Sequence, residues 1–263
     1  MSNGFGNETK KSLGQHWLRD DSMLNAIVQA GSVGAADTVL EIGPGEGTLT
    51  QKLIDTGAQI EALEFDQDLV GPLRAKFTYC ENFAISEGDI RQFDYSTLSP
   101  GYKIIANIPY YLTSNLVRAI SETPNPPSVA VLLIQKEVAQ RLCAEPGKMG
   151  ILSVTAQFYF ECLLDIEIPA EYFTPPPKVD SQVVVLKRRP VKLFSVNEKE
   201  FFRFIKAGFS EKRKTLRNSL SGGLLIPKEE VEKLVKDAGL DKSTRAQELS
   251  LEQWHDLYVR WQN

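Results

Sequence analysis

The chain has 263 residues, of which 42% are hydrophobic and 24% charged, with a formal net charge of −4. This length accommodates one large domain and a small one, and no apolar run is long enough to span a bilayer. The N-terminal "MSNGFGNETKKS" lacks the apolar stretch of a signal peptide, and Cys80, Cys143 and Cys162 form no CxxC pair, so a soluble cytoplasmic protein without a disulfide framework or metal site is expected.

The charge is unevenly spread. From Lys187 to Asn263 there are 17 Lys and Arg against 11 Asp and Glu, a net of +6, while the rest of the chain carries −10. Fields are screened within about 8 Å at physiological salt, so a local basic surface binds phosphate despite the acidic total.

Along the chain, "TVLEI", "AQIEALE", "FAISEG", "KIIAN", "VAVLLI", "LLDIEI" and "SQVVVLK" are short apolar runs. Segments with helical periodicity, such as "SNLVRAISE" and "KEVAQRLCA", separate several of them. That alternation predicts an α/β fold with a mostly parallel, seven-stranded sheet covered by helices on both faces. The linker "PAEYFTPPPKVD" is too irregular for a crossover helix, so the last two runs are expected to pair antiparallel at one edge. Beyond "KRRPVK" the pattern is helical only, which predicts domains at 1–189 and 190–263, with 1–9 as a flexible arm.

The first strand leads into "EIGPGEGTLT", where Gly43, Gly45 and Gly47 let the backbone approach a ligand closely. A dinucleotide fingerprint would need a third glycine at position 48, which is Thr48. The second strand ends in Glu64, 21 residues after Gly43 and suited to accept both hydroxyls of a ribose. Asp89 follows the third strand in "EGDI", where it can accept from an adenine amine. Three such points at consecutive strand ends describe a nucleoside pocket, and both NAD and S-adenosylmethionine carry an adenosine.

The fourth strand separates them. "KIIAN" delivers Asn107 to the same sheet edge, followed by Ile108, Pro109 and Tyr110. Proline holds the residue before it extended, so the Asn107 side-chain oxygen and the Ile108 backbone oxygen form two converging acceptors. An adenine amine that donates both hydrogens to them frees its lone pair to attack an electrophile in line, and Tyr110 offers a flat face for the base. The natural electrophile is then the methyl group of a sulfonium. That chemistry needs no metal, and neither His16 nor His255 sits in a triad or HExxH pattern.

These residues, together with "SLGQHWL", "LEFD", "NIPYYLTSNLV", "LLIQKEVAQRL", "FTPPPKVDSQVV" and "KRKTLRNSL", resemble in order and spacing the motifs of the KsgA family of small-subunit ribosomal RNA adenine dimethyltransferases. The likeness covers nearly the whole chain after residue 9. It implies a Rossmann-like class I methyltransferase domain with a small all-helical C-terminal domain. It further implies that S-adenosyl-L-methionine is used to dimethylate two adjacent adenines near the 3′ end of 16S rRNA in a pre-30S particle. By motif, His16 and Leu18 belong to the cofactor site, Gly43 contacts the methionine side, Glu64 the ribose and Asp89 the adenine, with Asn107 between cofactor and target. Leu13, Trp17 and Ile108 depart from the commoner family residues only by apolar exchange.

The target adenine must be flipped out or already unpaired to reach the methyl group. The resemblance implies that Phe173 closes on the base opposite Tyr110; the alternative is that it packs in the core. Arg213 and Arg217 are expected on one helix face, with Lys206, Lys212 and Lys214 nearby, either as a solvated face or, as the resemblance implies, as an RNA-docking patch. A monomer is expected, since nothing resembles a dimerisation stripe. Two other readings stand beside this one: a macrolide-resistance-type enzyme acting on large-subunit rRNA, and a ribosome-assembly factor that has kept the fold without catalysis.

Overall fold

The computed structural model describes residues 15–262, apart from the Tyr110 side chain; the expected arm at 1–9 lies outside the described residues. In chain order, β1 (Trp17–Leu18) and α1 (Asp21–Ala30) precede β2 (Thr38–Ile42), α2 (Thr48–Ile54), β3 (Gln59–Glu64), α3 (Gln67–Lys76), β4 (Phe83–Glu87), β5 (Lys103–Asn107), α4 (Thr113–Glu122) and β6 (Val129–Gln135). Then come α5 (Lys136–Leu142), α6 (Ile151–Tyr159), β7 (Phe160–Ile168), β8 (Phe173–Thr174), β9 (Ser181–Arg188), α7 (Glu198–Gly208), α8 (Leu216–Leu224), α9 (Lys228–Asp237) and α10 (Leu251–Gln262).

Seven strands form one sheet in the order β4-β3-β2-β5-β6-β9-β7. Strands β2 to β6 pair in parallel, whereas β9 runs antiparallel to both β6 and β7, as expected for the last two runs. The central strands are apolar along their length because both faces are covered: Val39, Ile60, Ile104, Val131 and Val185 are all buried. The chain steps outward from β2 through β3 to β4, then crosses back to place β5 beside β2. That reversal opens a crevice at the carboxyl ends of these strands.

Contacts divide the chain into two compact units, Met1–Ala139 with Phe160–Arg188, and Gln140–Tyr159 with Arg189–Asn263. The second unit resumes at Arg189, and 140–159 group with the C-terminal helices rather than with the sheet. The reason is aromatic packing. Phe158 meets Phe201 and Phe202 at centroid distances of 5.5 and 5.3 Å, and Tyr159 stacks on Phe202 at 5.9 Å. Phe204 and Trp254 extend this core, and a Cβ on Gly208 would lie 2.3 Å from the Trp254 ring, so only glycine lets α7 approach it.

Candidate active site

A pocket lies at the carboxyl ends of β2, β3 and β5 and beyond the end of β4, lined among others by Gly43, Gly45, Glu64, Asp89, Asn107 and Ile108. The residues expected to form the cofactor pocket, His16 and Leu18 included, therefore meet in one place. Their convergence follows from strand register: Glu41 pairs with Ala62 and Ile105, so Ile42, Leu63 and Ala106 share one level, at which Ile42 and Leu63 line the pocket.

The glycine loop turns on positive φ values. Gly45 has φ +59° and faces the Trp17 indole, which a Cβ would meet at 3.4 Å. Gly47, at φ +75°, starts α2, and a Cβ there would sit 2.7 Å from Leu73 and 2.8 Å from Phe77. Any other residue would be strained and would push α3 away.

Glu64 is 6% exposed. Its Oε2 accepts from the Gly45 amide at 3.1 Å and its Oε1 from the Asp66 amide at 2.8 Å, which fixes the carboxylate while leaving lone pairs for a ligand. Burial raises its pKa against those two hydrogen bonds. Asp89 accepts a forked bond from the Arg91 guanidinium, with Nε 2.9 Å from Oδ2, and this pairing lowers its pKa. Phe65, between Glu64 and Asp66, lines the same pocket and is 56% exposed.

Residues 15–19 form a strap across this pocket. The Gln15 side chain donates to Asp66 at 3.0 Å, and His16 Nδ1 lies 2.7 Å from the Pro175 carbonyl. Leu18 pairs with Phe173 across the β1–β8 ribbon, and its carbonyl accepts from the Thr48 hydroxyl at 2.9 Å. Arg19 forks onto Glu46, with Nε to Oε2 at 2.9 Å and Nη2 to Oε1 at 2.8 Å. Lys76 reaches the Glu46 carbonyl at 2.9 Å.

At the end of β5 the Asn107 amide nitrogen donates to the His16 carbonyl at 3.3 Å. Ile108 is buried and Pro109 takes φ −54°, ψ 133°, so the backbone leaves the strand extended before α4 begins. The Tyr110 side chain, expected against the base, lies outside the described residues.

Two expectations are corrected. Phe173 is 3% exposed and belongs to the apolar cluster that contains Leu18, Leu24, Ile27 and Ile168. Pairing of β8 with β1 holds its ring in that cluster, so it presents no face to a base here. In the C-terminal unit, Lys212, Arg213 and Lys214 lie in the connection between α7 and α8 rather than on a helix, because Thr215 is extended and α8 starts at Leu216. Arg213 and Arg217 therefore share no helix face. Lys206, Lys212, Arg213 and Lys214 are exposed, and Arg217 pairs with Glu232 at 2.8 Å.

Sequence reasoning assigned no role to Glu41, Arg19, Glu46 or Gln15, although all but Arg19 lie within the quoted motifs. Glu41 is 1% exposed, and neither carboxyl oxygen has a hydrogen-bond partner among the described residues. Burial pushes its pKa up to about 8, with Glu64 adding to the rise and the nearby Thr50 hydroxyl and Lys76 ammonium opposing it. The Trp17 indole N–H is another buried polar group without a partner among the described residues. Both residues line the pocket, so it offers a polar ligand an unsatisfied acid and an unsatisfied donor beside the glycine loop.

A mostly parallel sheet with one antiparallel strand and a pocket at its switch point is the arrangement of a Rossmann-like class I methyltransferase. The chain belongs to the ribosomal RNA adenine dimethylase family, whose sequence model matches residues 6–263. Among its relatives, a protein of Dehalococcoides mccartyi named ribosomal RNA small subunit methyltransferase A is 39% identical, covering 98% of this chain and 90% of its own. One of the same name from Synechococcus elongatus is 40% identical over 94% of this chain and 93% of its own. Of solved structures, the 23S rRNA methyltransferase ErmE superposes with a TM-score of 0.77 at 27% identity, covering 94% of this chain and 100% of its own. A dimethyladenosine transferase from Plasmodium falciparum shares the fold with a TM-score of 0.81 at 24% identity, covering 94% and 98%.

Proposed function

We propose that this rRNA adenine dimethyltransferase acts on small-subunit rRNA, methylating two adjacent adenines near the 3′ end of 16S rRNA in a pre-30S particle with S-adenosyl-L-methionine as donor. The observation that supports the reading is that Asn107, Ile108 and Pro109 line the same pocket as Gly45, Glu64 and Asp89.

The residues present fit the donor. Glu64 offers a fixed carboxylate to the ribose hydroxyls and Asp89 an acceptor to the adenine amine, while Phe65 offers a flat face. The Glu41 carboxyl and Trp17 indole N–H, without partners among the described residues, line the pocket beside the glycine loop, where the polar methionine end would be held. S-adenosylmethionine, when bound, would supply a sulfonium methyl group for the amine and would leave as a neutral thioether, with the amine proton released to solvent. The chain's own part is to hold the amine. The Asn107 Oδ1 and the Ile108 carbonyl accept its two hydrogens, which turns the nitrogen lone pair toward the methyl group. No residue need act as a covalent nucleophile.

The exposed Lys206, Lys212, Arg213 and Lys214, with Arg217 nearby, are the proposed phosphate contacts, which position RNA without reading its sequence. The protein is proposed to work as a cytoplasmic monomer. No helix among the described residues is long and apolar enough to cross a membrane, and none of their side chains form a metal-binding cluster.

The likeness to ErmE favours a second reading, action on 23S rRNA. Against it stands the higher identity, 39–40%, to proteins named for the small subunit. Undermethylated 30S and 50S particles incubated with methyl-labelled donor separate the two. Label is expected in 16S rRNA; label confined to 23S rRNA, or none in either, would reject the proposal.

A further inference from the structure

Arg19 lies outside the pocket lining, yet it makes the strap's one charged fork to the glycine loop among the described residues. Its guanidinium is half exposed, at 51%, while the Glu46 carboxylate is 9% exposed, so the acid is shielded and the pair is stronger than an ordinary surface bridge. Glu46 lies in the loop Gly43–Gly47, itself held by Lys76 at the Glu46 carbonyl. The pair thus fastens the strap to a rigid point.

What the strap does there is set by one hydrogen bond. The Asn107 Nδ2 donates to the His16 carbonyl, three residues before Arg19. In a planar amide the nitrogen and oxygen occupy opposite sides of one carbon, so fixing the nitrogen on the strap aims the oxygen away from it. With the strap released, the amide is free to turn and would present N–H to the target amine, a donor facing a donor.

We propose that Arg19 is a positioning residue for methyl transfer: through Glu46 it holds the strap closed, and the closed strap holds Asn107 with its oxygen toward the adenine amine. The inference deepens the rRNA adenine dimethyltransferase reading and rests on it. The strap keeps other anchors when Arg19 is lost, namely Gln15 on Asp66, Thr48 on the Leu18 carbonyl and the β1–β8 pairing, so the variant folds with the strap loosened rather than absent.

The two methyl additions give a readout that a purely structural role would not move. An unmethylated amine brings two N–H donors and needs both Asn107 and Ile108. A monomethylated amine brings one, which the Ile108 carbonyl alone accepts. Initial rates are therefore compared on small-subunit particles carrying adenine or N6-methyladenine at the target, for the unsubstituted chain, Arg19→Leu, Arg19→Lys and Glu46→Gln. Loss of folded enzyme slows both substrates equally. Misorientation of Asn107 slows the first more. Arg19→Leu and Glu46→Gln are expected to lower the rate on adenine about 10-fold and that on N6-methyladenine about 3-fold or less, with partial recovery in Arg19→Lys, which keeps the charge but loses the fork. Equal slowing on the two substrates, a larger loss on N6-methyladenine, or no slowing overturns the inference. Methyl uptake by the unsubstituted chain tests the underlying reading separately, and its absence would remove both.

Discussion

Replacing Glu41 with Gln removes a carboxyl group that the fold keeps protonated. Its pKa is raised from 4.5 to about 8, chiefly because burial withdraws the charged form from solvent, with the Thr50 hydroxyl opposing the rise and the Glu64 charge adding to it. A carboxyl whose folded pKa lies above its unfolded value supports the fold fully below the unfolded pKa and withdraws that support as pH rises through the folded one. A tenfold change in proton affinity corresponds to about 1.4 kcal/mol, so the interval between 4.5 and about 8 bounds the loss at about 5 kcal/mol. Glu64 is raised as well and contributes a slope of the same sign, which the substitution leaves in place. Glutamine keeps the shape and stays neutral. Urea unfolding of the cofactor-free chain between pH 5 and pH 8.5 should give near-equal stabilities for the two proteins at the acid end. At the alkaline end Glu41→Gln should be more stable by about 2 to 5 kcal/mol. A difference that stays constant across the range would show that Glu41 does not titrate in that window, and the argument from its burial would fail.

Gly47→Ala places a methyl group 2.7 Å from Leu73 at φ +75° and should cost about 1–3 kcal/mol of stability by urea titration. Glu64→Gln halves the charge-assisted acceptors facing a ribose, and calorimetry should show the affinity for S-adenosylhomocysteine falling about 10- to 100-fold. Exchanging Lys212, Arg213 and Lys214 together for Gln should reduce the slope of log affinity for rRNA against log salt by about 2 to 3, while leaving cofactor affinity unchanged. A salt slope equal to that of the unsubstituted chain would take the patch out of the interface.

The strand plan and the residues that meet in the pocket were legible because their signals are local. Apolar runs of five to seven residues, each ending in a glycine or a polar residue, mark buried parallel strands, and Glu64, Asp89 and Asn107 fall at or just beyond those ends. Arg19 and Glu46 stand 27 residues apart and Gln15 and Asp66 stand 51 apart, with no periodicity linking them. Only the folded strap brings them together. Phe173 was misplaced for a related reason: its burial comes from pairing with Leu18, more than 150 positions earlier. The helical segment 140–159 looked like part of the sheet domain because it sits between strands in sequence, whereas its aromatic side chains find their partners in α7. At Lys212–Lys214 the run of charged residues carried helical propensity, but α7 stops at Gly208 and the extended Thr215 caps α8 only after them.

The central claim is that the Asn107 amide oxygen, with the Ile108 carbonyl, grips the adenine amine. Its most direct test is mass spectrometry of 16S rRNA after reaction of undermethylated 30S particles with Asn107→Ala, with cofactor affinity measured alongside. The account predicts a fall of about 100-fold or more in the rate of dimethyladenosine formation, with S-adenosylhomocysteine binding within about 10-fold of the unsubstituted chain. Dimethyladenosine formed at the unsubstituted rate would contradict it.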